Sequence, residues 1–146
     1  MKLHTRYLGE VTIDPDKVLH FPNGLPGFPK ETKFVLLDLP GNPVFQTLQS
    51  VKTSEIAFIV TNPYHFYAEY TFHLDKQIIE QLRIQTEADV MVLSIVTIKD
   101  PFDQSTLNLK APIIMNATIK IGKQYILNEN HFPVKASIKS TKEKGE

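Results

Sequence analysis

The stretch Asp89–Ile98 reads DVMVLSIVTI, and from Val90 to Ile98 only Ser94 and Thr97 are polar. In an extended chain Val90, Val92, Val96 and Ile98 point to one side, and Met91, Leu93 and Ile95 to the other. A strand that is apolar on both sides is covered on both sides, so this one runs through the middle of the molecule. A buried helix shows the same kind of run. The length, the β-branched residues and the stop at Asp100-Pro101 favour a strand.

The rest of the chain supplies what closes over that strand. Leu3–Ile13 alternates in two short pieces around Gly9-Glu10 and predicts a hairpin or bulged strand pair. Val18–Phe21 predicts a short strand leading into Pro22-Asn23-Gly24-Leu25-Pro26-Gly27-Phe28. That loop carries two turn signals in tandem, and Pro26-Gly27 suits the centre of a type II turn. Phe21 and Phe28 bracket it, which predicts a structural loop pinned by aromatic rings. Further strands are predicted at Phe34–Leu39, stopped by Pro40-Gly41-Asn42-Pro43, at Val44–Val51, and at Ile56–Thr61, ending at Asn62-Pro63. Tyr64–Phe72 then holds the densest aromatic cluster of the chain.

One helix follows, with Asp75 as its cap and Leu74, Ile78, Ile79 and Leu82 at helical spacing. Lys76/Glu80 and Glu80/Arg83 support it on one face. It is expected to lie over the sheet that contains Val90–Ile98. Beyond Pro101, strands are expected at Thr106–Leu109 and around Ala111–Met115, with Pro112 at an edge or a bulge because it donates nothing to a ladder. Thr118–Ile121 and Gln124–Leu127 read as a hairpin turning at Gly122-Lys123. About ten short strands and one helix predict a mostly β chain: a single-domain, barrel-like or sandwich antiparallel sheet with the short helix packed against it. The domain is expected to span residues 1–132, and residues 133–146 to form a polar, frayed tail.

A chain of 146 residues with 42% hydrophobic side chains is long and apolar enough for one core. Sixteen basic and sixteen acidic residues cancel, removing the electrostatic motive for binding nucleic acid or an anionic membrane. With no cysteine, thiol catalysis and thiolate metal sites are excluded, and a reducing compartment is the natural fit. No apolar run reaches membrane-spanning length and no secretory h-region opens the chain, so a soluble cytoplasmic protein is expected.

Catalytic chemistry finds little to stand on. The histidines, His4, His20, His65, His73 and His131, include no i, i+4 zinc pair. Ser50, Ser54, Ser94 and Ser105 lack a nucleophile-elbow context, and the carboxylates form no acid/base pair. Gly24 and Gly27 resemble a phosphate cradle only superficially, because Pro22 and Pro26 remove N–H groups a phosphate would need. The aromatics of Tyr64–Phe72 suit core packing better than base stacking, although a single-stranded RNA-binding barrel is the alternative they leave open. The residues themselves therefore read as a binding module with no catalytic centre, no cofactor and no metal.

Two segments together resemble a known family. Phe21-Pro22-Asn23-Gly24-Leu25-Pro26-Gly27-Phe28 resembles the F-P-x-G-L-P-G-F signature of the flagellar assembly factor FliW family. Asn108-Leu109-Lys110-Ala111-Pro112-Ile113-Ile114-Met115-Asn116 resembles its N-L-x-A-P-I-h-h-N segment. Leu48-Gln49-Ser50, Asn62-Pro63 and Gly122-Lys123-Gln124 are similar too, in the expected order. Met115 stands where a β-branched residue is commoner.

The resemblance implies a small β-barrel-like bacterial protein that acts by partner exchange. Its members bind flagellin in the cytoplasm and also the translational repressor CsrA, whose repression of flagellin mRNA they relieve away from the RNA-gripping surface. No direct contact with nucleic acid or membrane and a monomeric free state are expected. The neutral charge agrees with an antagonist that does not imitate RNA. Asn108, Pro112 and Asn116 are expected to border a partner surface. Satisfaction of local turns by the two amides is the competing reading. Phe21, Pro22, Gly24, Pro26, Gly27 and Phe28 are assigned to scaffold.

Overall fold

A computed structural model of the chain describes residues 1–129 and 131–138. In chain order its strands are β1 (Lys2–His4), β2 (Glu10–Thr12), β3 (Leu19–His20), β4 (Lys33–Leu39), β5 (Asn42–Ser50), β6 (Ala57–Thr61), β7 (Val90–Thr97), β8 (Thr106–Leu107), β9 (Ile113–Asn116), β10 (Ile121–Gln124) and β11 (Ala136–Ser137). The helix α1 covers Lys76–Gln81.

The predicted central strand is β7, and it is the junction of the fold. Pairing runs from β7 through β6, β5, β4, β3, β10 and β9 and returns to β7, so the wall is barrel-like. Every pair in it is antiparallel except the single match of His20 with Ile121 between β3 and β10. β8 and β9 lie along the same side of β7: Leu107 faces Val96, and Ile113 faces Leu93. The residues between them, Asn108–Pro112, are an excursion from what is otherwise one strand. Pro112 belongs there, where no ladder donor is required.

Alternation along the strands sorts the side chains. Phe21, Phe34, Leu48, Val60, Leu93, Ile113 and Met115 fill the interior, and fully burying each such side chain contributes about 1.5–3 kcal/mol. The opposite side is covered in three places. The β1–β2 hairpin lays Leu3 and Ile13 on Val35. The helix sets Ile78 and Leu82 on Ile114, beside Val90 and Val92. The aromatic segment and the C-terminal strand enclose Phe45, Val96, Leu107 and Leu127. β7 is thus covered on both sides over most of its length, Met91 at 36% exposure and the terminal Thr97 being the exceptions.

The helix starts where the cap predicts: the Asp75 carboxylate accepts from the Ile78 amide at 2.9 Å. Lys76 and Glu80 form an exposed pair at 4.0 Å. The expected hairpin at Gly122-Lys123 is displaced. The turn lies at Ala117–Lys120, where Lys120 takes φ 61°, and β10 begins at Ile121 facing Asn116. Asn116 Oδ1 accepts from the amides of Thr118 and Ile119 and anchors the turn there. Gly122 serves instead as a strand residue against Phe21. The body also extends past residue 132: Ala136 and Ser137 pair with Leu107 and Thr106, and Ile138 is buried. The rest of the expected tail, residues 139–146, lies outside the described residues.

Candidate partner-binding surface

The Phe21–Phe28 loop is built as its turn signals require. The Gly24 amide donates to Phe21 O at 2.8 Å, and the Phe28 amide to Leu25 O at 2.8 Å, with Gly27 at φ 80°. Gly24 has φ 70°, and a Cβ there would fall 2.2 Å from Phe28 O. Pro22 and Pro26 fix the first corner of each turn. Phe21 is fully buried and meets Phe34 edge-on. Phe28 is only half pinned: its ring leans on Phe58 at 6.1 Å and is 39% exposed.

This loop is tied to Leu48-Gln49-Ser50. Leu48 enters the core, and Ser50 Oγ donates to the Glu31 carboxylate just past the loop at 2.5 Å. The second oxygen of Glu31 accepts from Thr53 Oγ1 at 3.0 Å. Gln49, also buried, gathers the carbonyls of Ser50, Ser54 and Ile56 with its amide nitrogen and accepts from the Arg6 amide with its oxygen. Gln49 and Ser50 were not singled out for this work by their sequence. Their signals are the family likeness of Leu48-Gln49-Ser50 and two polar residues ending a strand beside a turn, and neither tells of these bonds.

The Asn108–Asn116 segment turns its amides inward. Asn108 Oδ1 accepts from the amides of Lys110 and Ala111 at 3.0 and 2.9 Å, closing the excursion as an Asx turn. Asn116 is 2% exposed and donates to the carbonyls of Leu82 and Arg83 at the end of the helix. Pro112 is buried, and its carbonyl accepts from the Tyr125 amide at 2.9 Å. Asn108 is half-buried. The three residues are brought together as the frame of one excursion. Their satisfied groups shape the neighbouring surface rather than present themselves to it.

The aromatic cluster is a packed one. Tyr70 is buried among Tyr64, Phe72 and Phe132, and its hydroxyl donates to Leu109 O at 2.6 Å. Burial pushes the Tyr70 phenol well above its ordinary range, with Tyr64 and Glu129 adding to the effect. Tyr67 donates to Ser137 O, and burial raises the phenols of both Tyr64 and Tyr67. Of these rings only Tyr64 is substantially exposed, at 38%. Rings used against each other in this way offer no row of faces on which successive bases could stack. That argues against the RNA-binding alternative. Among the described residues no group of three or more His, Asp or Glu could hold a metal ion, and no helix is long and apolar enough to cross a membrane.

One long groove opens beside β7. It has a volume of about 970 Å³ and is lined by Leu36, Tyr64, Phe72, Leu74, Met91 and Leu93 among others. Its lining mixes these apolar side chains with Gln46, Asn62, His73, Gln85, Thr86 and Glu87.

Comparison with known proteins agrees with both sequence segments. The family model described as FliW protein matches residues 2–138. A flagellar assembly factor FliW of Oceanobacillus iheyensis is 49% identical over 140 residues, covering 96% of this chain and 95% of that protein. Another, of Bacillus licheniformis, is 44% identical over 138 residues, covering 94% and 96%. The crystal structure of a flagellar assembly factor FliW superposes with a TM-score of 0.90 at 38% identity, covering 94% of this chain and 96% of that one. The likeness embraces the turn-built loop, the excursion opposite β7 and the barrel-like wall alike, and on that ground the chain belongs to the FliW family of flagellar assembly factors.

Proposed function

We propose that this protein acts in the cytoplasm as a flagellar assembly factor that binds flagellin and, by partner exchange, binds and antagonises the translational repressor CsrA. The observation that carries the reading is the family match across residues 2–138. The charge balance supports antagonism without imitation of RNA, since sixteen acidic and sixteen basic residues leave no net negative charge to stand in for a phosphate chain. Exchange requires only different affinities for two partners, and no bond is made or broken. Asn108, Pro112 and Asn116 border the partner surface by holding the excursion in shape. Direct contact falls to the surface beside them.

The test is binding of the purified chain to purified flagellin and CsrA, followed by competition. CsrA should be captured, lose its grip on flagellin mRNA, and be released when flagellin is added. An Asn108→Asp variant that remains folded should bind CsrA more weakly. Failure to capture either protein, or direct oligonucleotide binding that falls steeply with salt, would overturn the reading.

A further inference from the structure

β6 ends short of the beginning of β7. Its last residue, Thr61, faces Ser94, and Val60 faces Ile95. Val90–Leu93 therefore have β9 on one side and no strand on the other, where the 3-10 turn Pro63–His65 that follows β6 approaches β7. The direction of the backbone groups follows from two bonds. Asp89 O accepts from the Ala117 amide at 2.8 Å, and Ile95 O from the Asn108 amide at 3.0 Å. Odd-numbered residues here thus turn their N–H and C=O towards β8 and β9, and antiparallel alternation turns those of Val90, Val92 and Ser94 the opposite way. Ser94 meets Thr61 there, and the Val90 amide is taken by Glu87 O. The N–H and C=O of Val92 and the C=O of Val90 have no protein partner among the described residues.

These three groups face the long groove. Leu36 and Leu93 pack with the barrel interior, Met91 shares Leu93's face of β7, and Phe72, Leu74 and Ile84 pack with the helix. Glu87 is the one carboxylate among the lining residues, which include no lysine or arginine. A helix laid in the groove would satisfy its own backbone and leave Val92 unpaired. A second extended chain would pair with it and send alternate side chains to the apolar residues on either side of the groove.

We propose that the open edge of β7 at Val90–Leu93 receives an extended peptide segment of a partner protein, added as a strand in the place β6 vacates and apolar at alternate positions. Four residues of edge span about 13 Å, so the paired core of the segment is about four residues long. A basic residue at one end would answer Glu87. The proposal rests on the proposed function only for its choice of probes.

The experiment uses the full chain, isotope-labelled for amide hydrogen exchange, with synthetic peptides of about twelve residues tiling flagellin and CsrA, long enough to overhang the edge at both ends. In the free protein the Val92 amide should exchange at least about tenfold faster than those of Met91 and Leu93, which are paired with β9. One peptide should bind and slow Val92 by about tenfold or more. N-methylation of that peptide should abolish binding at alternate positions only, those whose N–H faces β7. Met91→Asp, at an exposed position, should weaken the same peptide about tenfold or more with the fold intact. Protection of Val92 in the free chain, including by self-association, would overturn the proposal. So would binding indifferent to the methylation pattern, or no peptide binding. If whole flagellin or CsrA is captured while no peptide binds, only the strand proposal fails. If neither protein is captured, the proposed function fails with it.

Discussion

Gly122 on β10 lies flat against the ring of Phe21: a Cβ built on it would sit 2.5 Å from Phe21 Cε2 and 2.8 Å from Met115 Cγ. The first residue of one family segment and a glycine of another thus meet inside the barrel. Both neighbours are buried and cannot step aside. Gly122→Ala is expected to destabilise the fold by about 1–3 kcal/mol through overpacking. The check is a urea midpoint lowered at unchanged slope.

Gln49 joins the N-terminal hairpin to the barrel through the Arg6 amide at 3.0 Å and orders the β5–β6 turn from the same side chain. Gln49→Ala leaves the Ser50 and Ser54 carbonyls and the Arg6 amide short of a partner, costing about 1–3 kcal/mol. Its signature is local as well as global. Amides in residues 1–13 and 51–56 should exchange faster by a larger factor than those of β9, as hydrogen-exchange mass spectrometry would show.

The Asp75 carboxyl is held below the usual carboxylate range, first by the Ile78 amide and then by the Tyr125 hydroxyl. The folded state thus binds its proton less readily than the unfolded chain. The resulting stability is complete above the ordinary carboxylate range and is lost as pH falls through the lowered folded value. Asp89 behaves alike, its carboxyl lowered by the Gln85 and Thr86 amides and by Thr118. Melting temperature should fall on acidification through this range. Asp75→Asn, which can still accept at the cap, should flatten its share of the pH dependence. An unaltered pH profile in that variant would refute the assignment.

Asn116 fastens the end of the helix to β9 through Leu82 O at 2.9 Å and Arg83 O at 3.1 Å. Asn116→Ala strands two carbonyls and two turn amides and is expected to cost about 1–3 kcal/mol. Any weakening of CsrA capture in this variant should be recovered when the fold is restored by lower temperature. If the proposed function holds, Asn108→Asp, which keeps the Oδ1 acceptor of the Asx turn and adds a charge at a half-buried position, should weaken capture without that recovery. Parallel melting and binding titrations separate the two.

Much of the architecture could be read from local pattern. β7 announces itself by a two-sided apolar run, α1 by Asp75 and its spacing, and the Phe21–Phe28 loop by Pro and Gly at turn positions. Each of those signals acts within a few residues. The β9–β10 turn could not be read that way. Gly122-Lys123 is a better local turn than Ala117–Lys120, but a Cβ-free position was needed beside Phe21, a hundred residues earlier in the chain, and Asn116 supplied the turn's bonds instead. The same holds for Asn108 and Asn116. An exposed and a buried asparagine look alike in sequence, and only the tertiary position of the Leu82 and Arg83 carbonyls decides that Asn116 faces in. The strand at Ala136–Ser137 was hidden because two residues carry no period, and its partner is β8.

One rung joins β3 to β10, against five between β5 and β6. A cylinder of strands breathes first at its shortest seam, where least must be undone. Thermal opening of this protein therefore begins beside His20 and Ile121, and every rung added there tightens the whole circuit.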